Sequence, residues 1–273
     1  MKLELLISCM HQTDDALIHR SGITGDVLMV NQCDHDEQQT CRTKAGTGRI
    51  ICTRTRGLTV SRNIAIEAAK GDVCLLCDDD EVFAADYEQR ILKAYEQLPQ
   101  ADVIIFKMIG RTPSFPDQVM RLRFPKIMKV SSWQISFRTD AILRCGIRFD
   151  ELLGAGTGNG AEEELKFLLD CQKAGLKIYY VPTEIATVGQ TASTWFEGFD
   201  RKFFINRGAT TRYILGWPLA LAYGVFYVIK KRPLYRQNLS PLQAMGAIWK
   251  GMRENKITKQ RRALNLRRNS TQS

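Results

Sequence analysis

The chain has 273 residues, 44% hydrophobic and 25% charged, which fits a globular protein with a sizeable core and excludes wholesale disorder. Its formal net charge of +10 is unevenly placed. Residues 201–273 hold sixteen Lys and Arg and one acid, Glu254, so residues 1–200 carry a net charge of −5. A basic C-terminal quarter of this kind suits anionic lipid or nucleic acid as a partner.

The first half of the chain alternates short apolar runs with helical patterns. The predicted strands are Leu3–Ser8, Val27–Val30, Arg49–Cys52, Val73–Cys77 and Val103–Met108. The predicted helices are Val60–Lys70 and Tyr87–Gln97. This alternation predicts an α/β fold with a mostly parallel central sheet covered by flanking helices. Ligands of such sheets bind outside the carboxyl ends of the strands.

The pattern is less regular after residue 109. It predicts a strand over Lys129–Arg138, a loop over Gly154–Gly160, a helix over Glu162–Ala174 and a final strand over Lys177–Val181. We expect this last strand to end before Pro182, because proline lacks the amide hydrogen that a strand donates.

An uncharged run of sixteen residues, Ile214–Ile229, follows near the C-terminus, and the bases Lys230–Arg232 come directly after it. A membrane-spanning helix needs roughly twenty apolar residues, so the run is marginal as a span. We expect it to lie at the surface of an anionic membrane, with a helical, basic extension around it. A buried helix of the same domain is the alternative interpretation.

The eight cysteines are scattered along the chain. The N-terminus starts directly with a strand-like run rather than a secretory signal, so we expect reduced thiols and a cytoplasmic location. Cys74 and Cys77 form a CxxC inside an apolar run, which favours core packing over zinc because no second ligand pair has suitable spacing. His11, His19 and His35 show no ligand spacing either.

Four consecutive acids, Asp78 to Glu81, follow the apolar run Val73–Cys77. Carboxylates about 4 Å apart repel by around 1 kcal/mol in water, and more where water is excluded. A hard divalent cation relieves that repulsion, and Mg²⁺ and Mn²⁺ favour sites shared between carboxylates and substrate phosphates. The alternative is a solvated acidic turn that caps a helix starting near Asp86.

The segment Gly57–Ala65, with sequence GLTVSRNIA, lies ahead of Gly71-Asp72 and the acidic run. Together these stretches resemble family 2 glycosyltransferases, in which a G-L-x-x-x-R-N-x-A helix precedes a strand that ends in a DXD motif. The resemblance covers about residues 1–190. It implies the GT-A fold, a nucleotide-diphosphate sugar as donor, and Mn²⁺ or Mg²⁺ as cofactor.

The resemblance also implies which residues contact the donor and the metal. Asp78 and Asp80 would hold the cation that bridges the two phosphates, and Asp79 would lie beside the donor. Arg62 and Asn63 would lie near the donor as well.

A third set of expected donor contacts follows the second strand. The family usually has acidic residues there that contact the base, and this chain has the sequence Asn31-Gln32-Cys33-Asp34. Asp34 or Asn31 would take that place.

A second block is similar to the acceptor-side pattern of the same family. It comprises Arg148–Gly154 and the acids Glu162, Glu163 and Glu164. The family's candidate general base is the second acid of a pair, which falls on Glu163-Glu164 or, with a shift of one residue, on Glu162-Glu163. An acidic first turn of a helix is the plainer interpretation, because helix N-termini attract acids.

The motifs and the resemblance together predict an inverting glycosyltransferase in surface polysaccharide synthesis. The resemblance implies a saccharide or lipid-linked saccharide as its acceptor. Residues 1–190 would form the catalytic domain, with a nucleotide-sugar half at about 1–108 and an acceptor half at about 109–190. Residues 191–273 would form the extension. The protein would be peripheral, at the inner face of the cell membrane.

Two other classes of protein are weaker alternatives. A metal-dependent nucleotidyltransferase usually has a Gly-rich, basic phosphate loop after its first strand, and Ser8–Gln12 lacks one. A nucleic-acid-binding protein would interleave aromatic residues with the Lys and Arg residues of its tail, and Lys250–Arg268 contains no aromatic residue. We therefore expect no nucleic-acid partner.

Overall fold

The computed structural model describes residues 1–111, 114–160, 162–189 and 198–270, with side chains to residue 266. The chain divides into two compact units. The first unit comprises 1–149 and 164–191, and the second comprises 150–163 and 192–273. The predicted domain boundary at 190/191 lies outside the described residues, so it stays a prediction.

The described strands of the first unit form one ten-stranded sheet. They are β1 (Leu3–Met10), β2 (Asp26–Gln32), β3 (Glu37–Arg42), β4 (Thr47–Thr53), β5 (Val73–Cys77), β6 (Glu81–Phe83), β7 (Val103–Ile109), β8 (Met120–Leu122), β9 (Ile135–Arg138) and β10 (Ile178–Val188). Their order is β3-β4-β2-β1-β5-β9-β7-β10-β6, with β8 beside β10. The run β4-β2-β1-β5 is parallel. The α/β class expected from the sequence is confirmed.

Helices flank this sheet. They are α1 (Ala16–Arg20), α2 (Leu58–Ala68), α3 (Tyr87–Gln97), α4 (Thr139–Arg144) and α5 (Glu163–Lys173). All five apolar runs predicted as strands in the first half lie in strands, because β1, β2, β5 and β7 are buried almost throughout and their sequences are correspondingly apolar.

Two differences from the sequence prediction have local causes. The predicted strand over Lys129–Arg138 is wrong in its first half, because Ser131 and Gln134 form a capping box around a short 3₁₀ turn and only Ile135–Arg138 pairs in the sheet. The last strand continues past Pro182 to Val188, because its register with β7 shifts between Val181 and Glu184. Proline is tolerated at such an irregularity.

Strand β3 has no apolar pattern in its sequence, EQQTCR. It lies at the edge of the sheet and pairs only with β4, and its residues are almost all exposed. Polar and charged side chains on an edge strand prevent further strand pairing. Because such side chains leave no apolar alternation, hydrophobic periodicity did not predict β3.

The second unit is helical, as expected for the C-terminal extension. Its described helices are α6 (Arg201–Leu215), α7 (Trp217–Lys230), α8 (Arg232–Tyr235), α9 (Pro241–Glu254) and α10 (Lys256–Ser270). Its core gathers around Phe204, Tyr227, Tyr235 and Ile248. Among the described helices, none is long and apolar enough to cross a membrane.

The uncharged run Ile214–Ile229 is not a single segment. Gly216, with φ of 76°, ends α6 and begins α7. One side of α7 contributes Ala220 and Val228 to the core of the second unit. The opposite side leaves large apolar side chains exposed. The buried face agrees with the alternative of a buried helix, and the membrane-surface interpretation stays a prediction.

Candidate active site

The acidic run begins where β5 ends. All five residues of β5 are buried, and Asp78 follows directly at the carboxyl end of this strand. The Asp78 backbone N–H donates to Oε1 of Glu81 over 2.7 Å, which closes a tight turn between β5 and β6. This turn holds Asp78, Asp79 and Asp80 at the edge of the sheet where ligands of α/β proteins bind.

Glu81 has a different role from the three aspartates. It lies in β6, is 1% exposed, and its pKa is raised well above the usual range, chiefly by burial and then by the charge of Asp78. Its buried carboxyl group accepts the hydrogen bond from the Asp78 amide and thereby supports the turn.

Arg62 contacts both the acidic run after β5 and a glutamate at the start of α5. It projects from α2, and its side chain is 2% exposed. One guanidinium nitrogen, Nη2, donates to Oδ1 of Asp78 over 2.9 Å, and Nη1 lies 3.5 Å from Oε1 of Glu164. The guanidinium also lies over the Phe149 ring, with its carbon 5.3 Å from the centroid. Such a buried cation is stable only because opposite charges surround it.

The second oxygen of Asp78 accepts a hydrogen bond from Ser132 Oγ over 3.1 Å. Ser132 belongs to the short 3₁₀ turn before β9 and was not predicted as a site residue. A serine in an irregular segment carries no motif, and only the pairing of β5 with β9 brings this turn to the acidic run.

The side chain of Asp80 is less constrained than that of Asp78, the other predicted metal ligand. Its backbone oxygen accepts from the Gly189 N–H over 2.8 Å, which ties it to the end of β10. Burial and the neighbouring carboxylates of Asp78 and Asp79 raise the pKa of Asp80. This mutual repulsion, in a set of oxygen donors only, fits a hard divalent cation. Asp79 is exposed beside it.

The three consecutive glutamates at the start of α5 have separate surroundings. Glu162, with φ of 75°, forms an ion pair with Arg207 inside the second unit. Glu163 is buried, with 6% exposure. Glu164 is 18% exposed at its side chain and faces Arg62. Glu164 therefore shares Arg62 with the acidic run after β5.

The two residues predicted to contact the base of the donor nucleotide differ in how exposed their side chains are. Asn31 is buried, and its amide group bonds the backbone of Gln12, accepting over 3.0 Å and donating over 2.7 Å. Asp34 follows β2 with its side chain 92% exposed, 3.5 Å from Arg56. Of the two, Asp34 is the one open to a ligand. Both contacts with the base stay predictions.

Asn63 holds the backbone ahead of the acceptor-side block. Its amide accepts from the Phe149 N–H over 2.8 Å and donates to the Phe149 carbonyl over 3.0 Å. This pair of bonds fixes Phe149, whose ring stacks on Phe167 of α5. The neighbouring residues Arg62 and Asn63 therefore have different contacts. Arg62 pairs with carboxylates, and Asn63 bonds to the backbone of Phe149. A contact of Asn63 with the donor stays a prediction.

Part of the first unit matches the model of a known family. Residues 26–149 fit the profile of glycosyl transferase family 2, a stretch that includes β2, the helix with Arg62 and Asn63, and the acidic run. The matched stretch is the one that carries the predicted donor-side motifs. The protein is accordingly a glycosyltransferase, as the motifs predicted.

Solved structures with the same fold include S. aureus TarS. A crystal structure of TarS 1–349 in complex with UDP-GlcNAc has a TM-score of 0.58 at 16% identity, over 87% of this chain and 74% of that chain. TarS 1–349 in complex with UDP has a TM-score of 0.54 at 14% identity, over the same shares. Comparison with curated proteins gave no match. The likeness establishes the GT-A fold of this glycosyltransferase.

Proposed function

We propose that this glycosyltransferase moves a sugar, with inversion, from a nucleotide-diphosphate donor to a saccharide acceptor, and that the acceptor is lipid-linked in surface polysaccharide synthesis. The observation that carries the proposal is the shared contact of Arg62 with Asp78 and Glu164. One buried cation holds the carboxylate beside the donor phosphates and the carboxylate that would receive the acceptor proton. TarS binding to UDP-GlcNAc and UDP supports a nucleotide-sugar donor.

The reaction needs one proton acceptor and one leaving group on opposite faces of the sugar. The acceptor hydroxyl oxygen forms a bond with the anomeric carbon as the bond from that carbon to the phosphate oxygen breaks, and the electron pair leaves with the nucleoside diphosphate. Glu164 takes the hydroxyl proton as general base. Arg62 keeps Glu164 and Asp78 in place and stabilises both as anions.

Asp78 and Asp80 would hold a divalent cation, Mn²⁺ or Mg²⁺. When bound, this ion supplies positive charge to the diphosphate as the leaving group develops its negative charge. Arg62 and Ser132 already engage both oxygens of Asp78, so Asp80 would provide the firmer ligand. The phosphates would complete the coordination, because Mg²⁺ sites in enzymes commonly combine one or two carboxylates with substrate oxygens.

A lipid-linked acceptor requires the enzyme to reach a membrane surface. The second unit exposes large apolar side chains on α7, including Phe226 at 53% and Ile229 at 71%. Lys230 and Arg232 follow directly and are exposed as well. Trp217 at the start of α7 stacks on Trp249 at 5.2 Å, an amphipathic pair of the type found at membrane interfaces. We infer a peripheral site at the inner face of the cell membrane.

A donor-hydrolysis screen tests the proposed reaction. The purified protein is incubated with a panel of nucleoside-diphosphate sugars, with Mn²⁺, with Mg²⁺ or with chelator, and release of nucleoside diphosphate is measured. We expect release from one donor or a few, dependent on the added cation. A protein that hydrolyses none of them, and whose melting temperature no nucleotide raises, would contradict the proposal.

A further inference from the structure

Three potential metal ligands lie close together in the fold, although their spacing in the sequence matches no metal-binding motif. Cys33 follows the last residue of β2, His35 lies in the connection to β3, and Cys52 lies in β4. The pairing of β2 with β4 sets Asn31 beside Cys52, and the Cys33 N–H donates to the Thr53 carbonyl over 2.9 Å. Two adjacent strands and one short connection thus bring the three side chains to the same end of the sheet.

The distances suit a tetrahedral ion. Sγ of Cys33 lies 3.7 Å from Nδ1 of His35, and the ligand atoms of all three residues lie within 4.8 Å of one another. Zinc bonds of ~2.3 Å to sulfur and ~2.0 Å to nitrogen place such atoms about 3.6 Å apart at a tetrahedral angle. Small side-chain movements are therefore enough to bring all three to one ion.

The surroundings of the cluster resemble those of metal-bound side chains. Nε2 of His35, the nitrogen that faces away from Cys33, lies 3.4 Å from a carboxylate oxygen of Glu37. A metal-binding histidine almost always donates its other ring hydrogen to such a group, which fixes the ring and its tautomer. Nδ2 of Asn31 donates to Sγ of Cys52 over 3.8 Å, a contact that stabilises a thiolate.

Two of the ligands are buried and the third is exposed, which leaves one side of the site open to a fourth ligand. Cys33 and Cys52 are 6% and 8% exposed, and the His35 side chain is 54% exposed. All eight cysteines are free, so neither thiol is committed to a disulfide. In the described part of the chain, no other group of three or more His, Cys, Asp and Glu residues converges in this way.

We propose that Cys33, His35 and Cys52 form a zinc site, distinct from the carboxylates after β5. Two thiolates and one imidazole are ligands that zinc prefers, and two thiolates neutralise its charge. Water or a small exogenous ligand would take the fourth position. The bound ion would tie the connection 33–36, including Asp34, to the neighbouring strand β4. This assignment does not depend on glycosyl transfer.

The test measures zinc binding by the full-length, reduced protein. Metal-free protein competes with a chromophoric chelator for Zn²⁺ in the presence of excess Mg²⁺, which occupies carboxylate sites without displacing zinc from thiolates. We expect one tightly bound zinc per chain and a rise in melting temperature on binding. Cobalt in place of zinc should give the visible absorption of a tetrahedral thiolate site.

Variants then assign the ligands. Cys33→Ser and His35→Asn should each weaken zinc binding at least a hundredfold, and Glu37→Gln should weaken it by about 10–100-fold. Cys145→Ser and His19→Asn remove the same groups from exposed positions elsewhere and should bind zinc as the unaltered chain does. His35 and Glu37 are exposed, so their variants should fold even if a cysteine variant does not.

Two results would overturn the assignment. One is an unaltered protein that binds no zinc after full reduction. The other is a His35→Asn protein whose zinc affinity and melting shift equal those of the unaltered chain, since the ion would then lie elsewhere.

Discussion

At the scale of single residues, Arg62 organises the candidate active site. A buried guanidinium has a large desolvation penalty, which here is offset by Asp78 at 2.9 Å, Glu164 at 3.5 Å and the face of Phe149. Arginine suits this position better than lysine, because its planar fork can donate in two directions at once. The same arginine therefore determines where two carboxylates of different proposed function lie.

The metal assignment predicts the effect of Asp80→Asn. The substitution keeps the shape of the side chain but removes the charge that would bind the cation, so turnover should be abolished while the far-UV circular dichroism stays unchanged. Asp117→Asn is the matched control, since the Asp117 side chain is 80% exposed and lies beside Lys107. If Asp80→Asn retains more than about a tenth of the activity, a loss under roughly 1.4 kcal/mol, Asp80 is not a metal ligand.

The different surroundings of the glutamates predict which of them is the base. Glu164→Gln should lower the transfer rate by about two to four orders of magnitude, the range for a lost general base. Donor binding, measured by calorimetry, should barely change. Glu163→Gln is the matched comparison on the adjacent residue. Normal transfer by Glu164→Gln together with an inactive Glu163→Gln would move the base one residue earlier.

At the scale of elements, glycine determines how closely two helices of the second unit pack. A Cβ at Gly208 of α6 would lie 2.1 Å from the Ile248 carbonyl oxygen, and one at Gly251 of α9 would lie 1.9 Å from the Ile205 carbonyl oxygen. Glycine within a helix costs about 0.5–1 kcal/mol relative to alanine. The close contact of the two backbones accounts for its presence at both positions.

This contact predicts opposite effects for two glycines of the same helix. Gly251→Ala should destabilise the protein by about 1–3 kcal/mol, the usual range for overpacking, because the methyl group would meet backbone. Gly246→Ala should stabilise it by about 0.5–1 kcal/mol, because a Cβ there meets nothing within 4 Å. Urea unfolding followed by circular dichroism measures both. Equal effects would contradict the close packing of α6 and α9.

At the scale of the whole molecule, the net charge of +10 combines two parts of opposite sign. Some of the C-terminal bases are used inside the second unit, where Arg207 pairs with Glu162 and Arg261 pairs with Asp150. Others, such as Lys230 and Arg232, are exposed next to the apolar side of α7. A basic rim beside apolar side chains is the arrangement that binds anionic membranes.

Vesicle flotation tests the proposed membrane-binding surface. The protein should float with anionic vesicles at low salt, because each base near the surface contributes about 1 kcal/mol. High salt should weaken binding without abolishing it, since screening acts over roughly 8 Å at physiological salt but leaves the apolar contact in place.

Point variants separate membrane binding from folding in the same assay. Phe226→Asp combined with Ile229→Asp changes exposed positions of α7 and should prevent flotation. Leu143→Asp places the same charge at a 46% exposed position of α4 and should leave flotation unchanged. A full-length protein that fails to float at low salt would show that the apolar face of α7 serves another contact.

The sequence by itself determined the elements whose physics is local. β5 and the acids after it were predicted because a buried parallel strand is apolar throughout, and α3 was predicted with its observed bounds because its apolar residues recur at helical spacing. The motif around Arg62 predicted the family for the same reason, since its spacing belongs to one helix and one strand. Edge strand β3 was not predicted, because its side chains are exposed to solvent and its sequence therefore has no apolar pattern.

Only the tertiary structure decided which distant residues meet. Glu164 lies 102 positions from Arg62, and only the fold of the first unit brings it to the guanidinium that also contacts Asp78. Cys33, His35 and Cys52 lack any zinc-like spacing, yet the pairing of β2, β3 and β4 brings them together. Sequence spacing reports proximity along one element, whereas a site formed from several elements depends on strand order and register, which long-range packing sets.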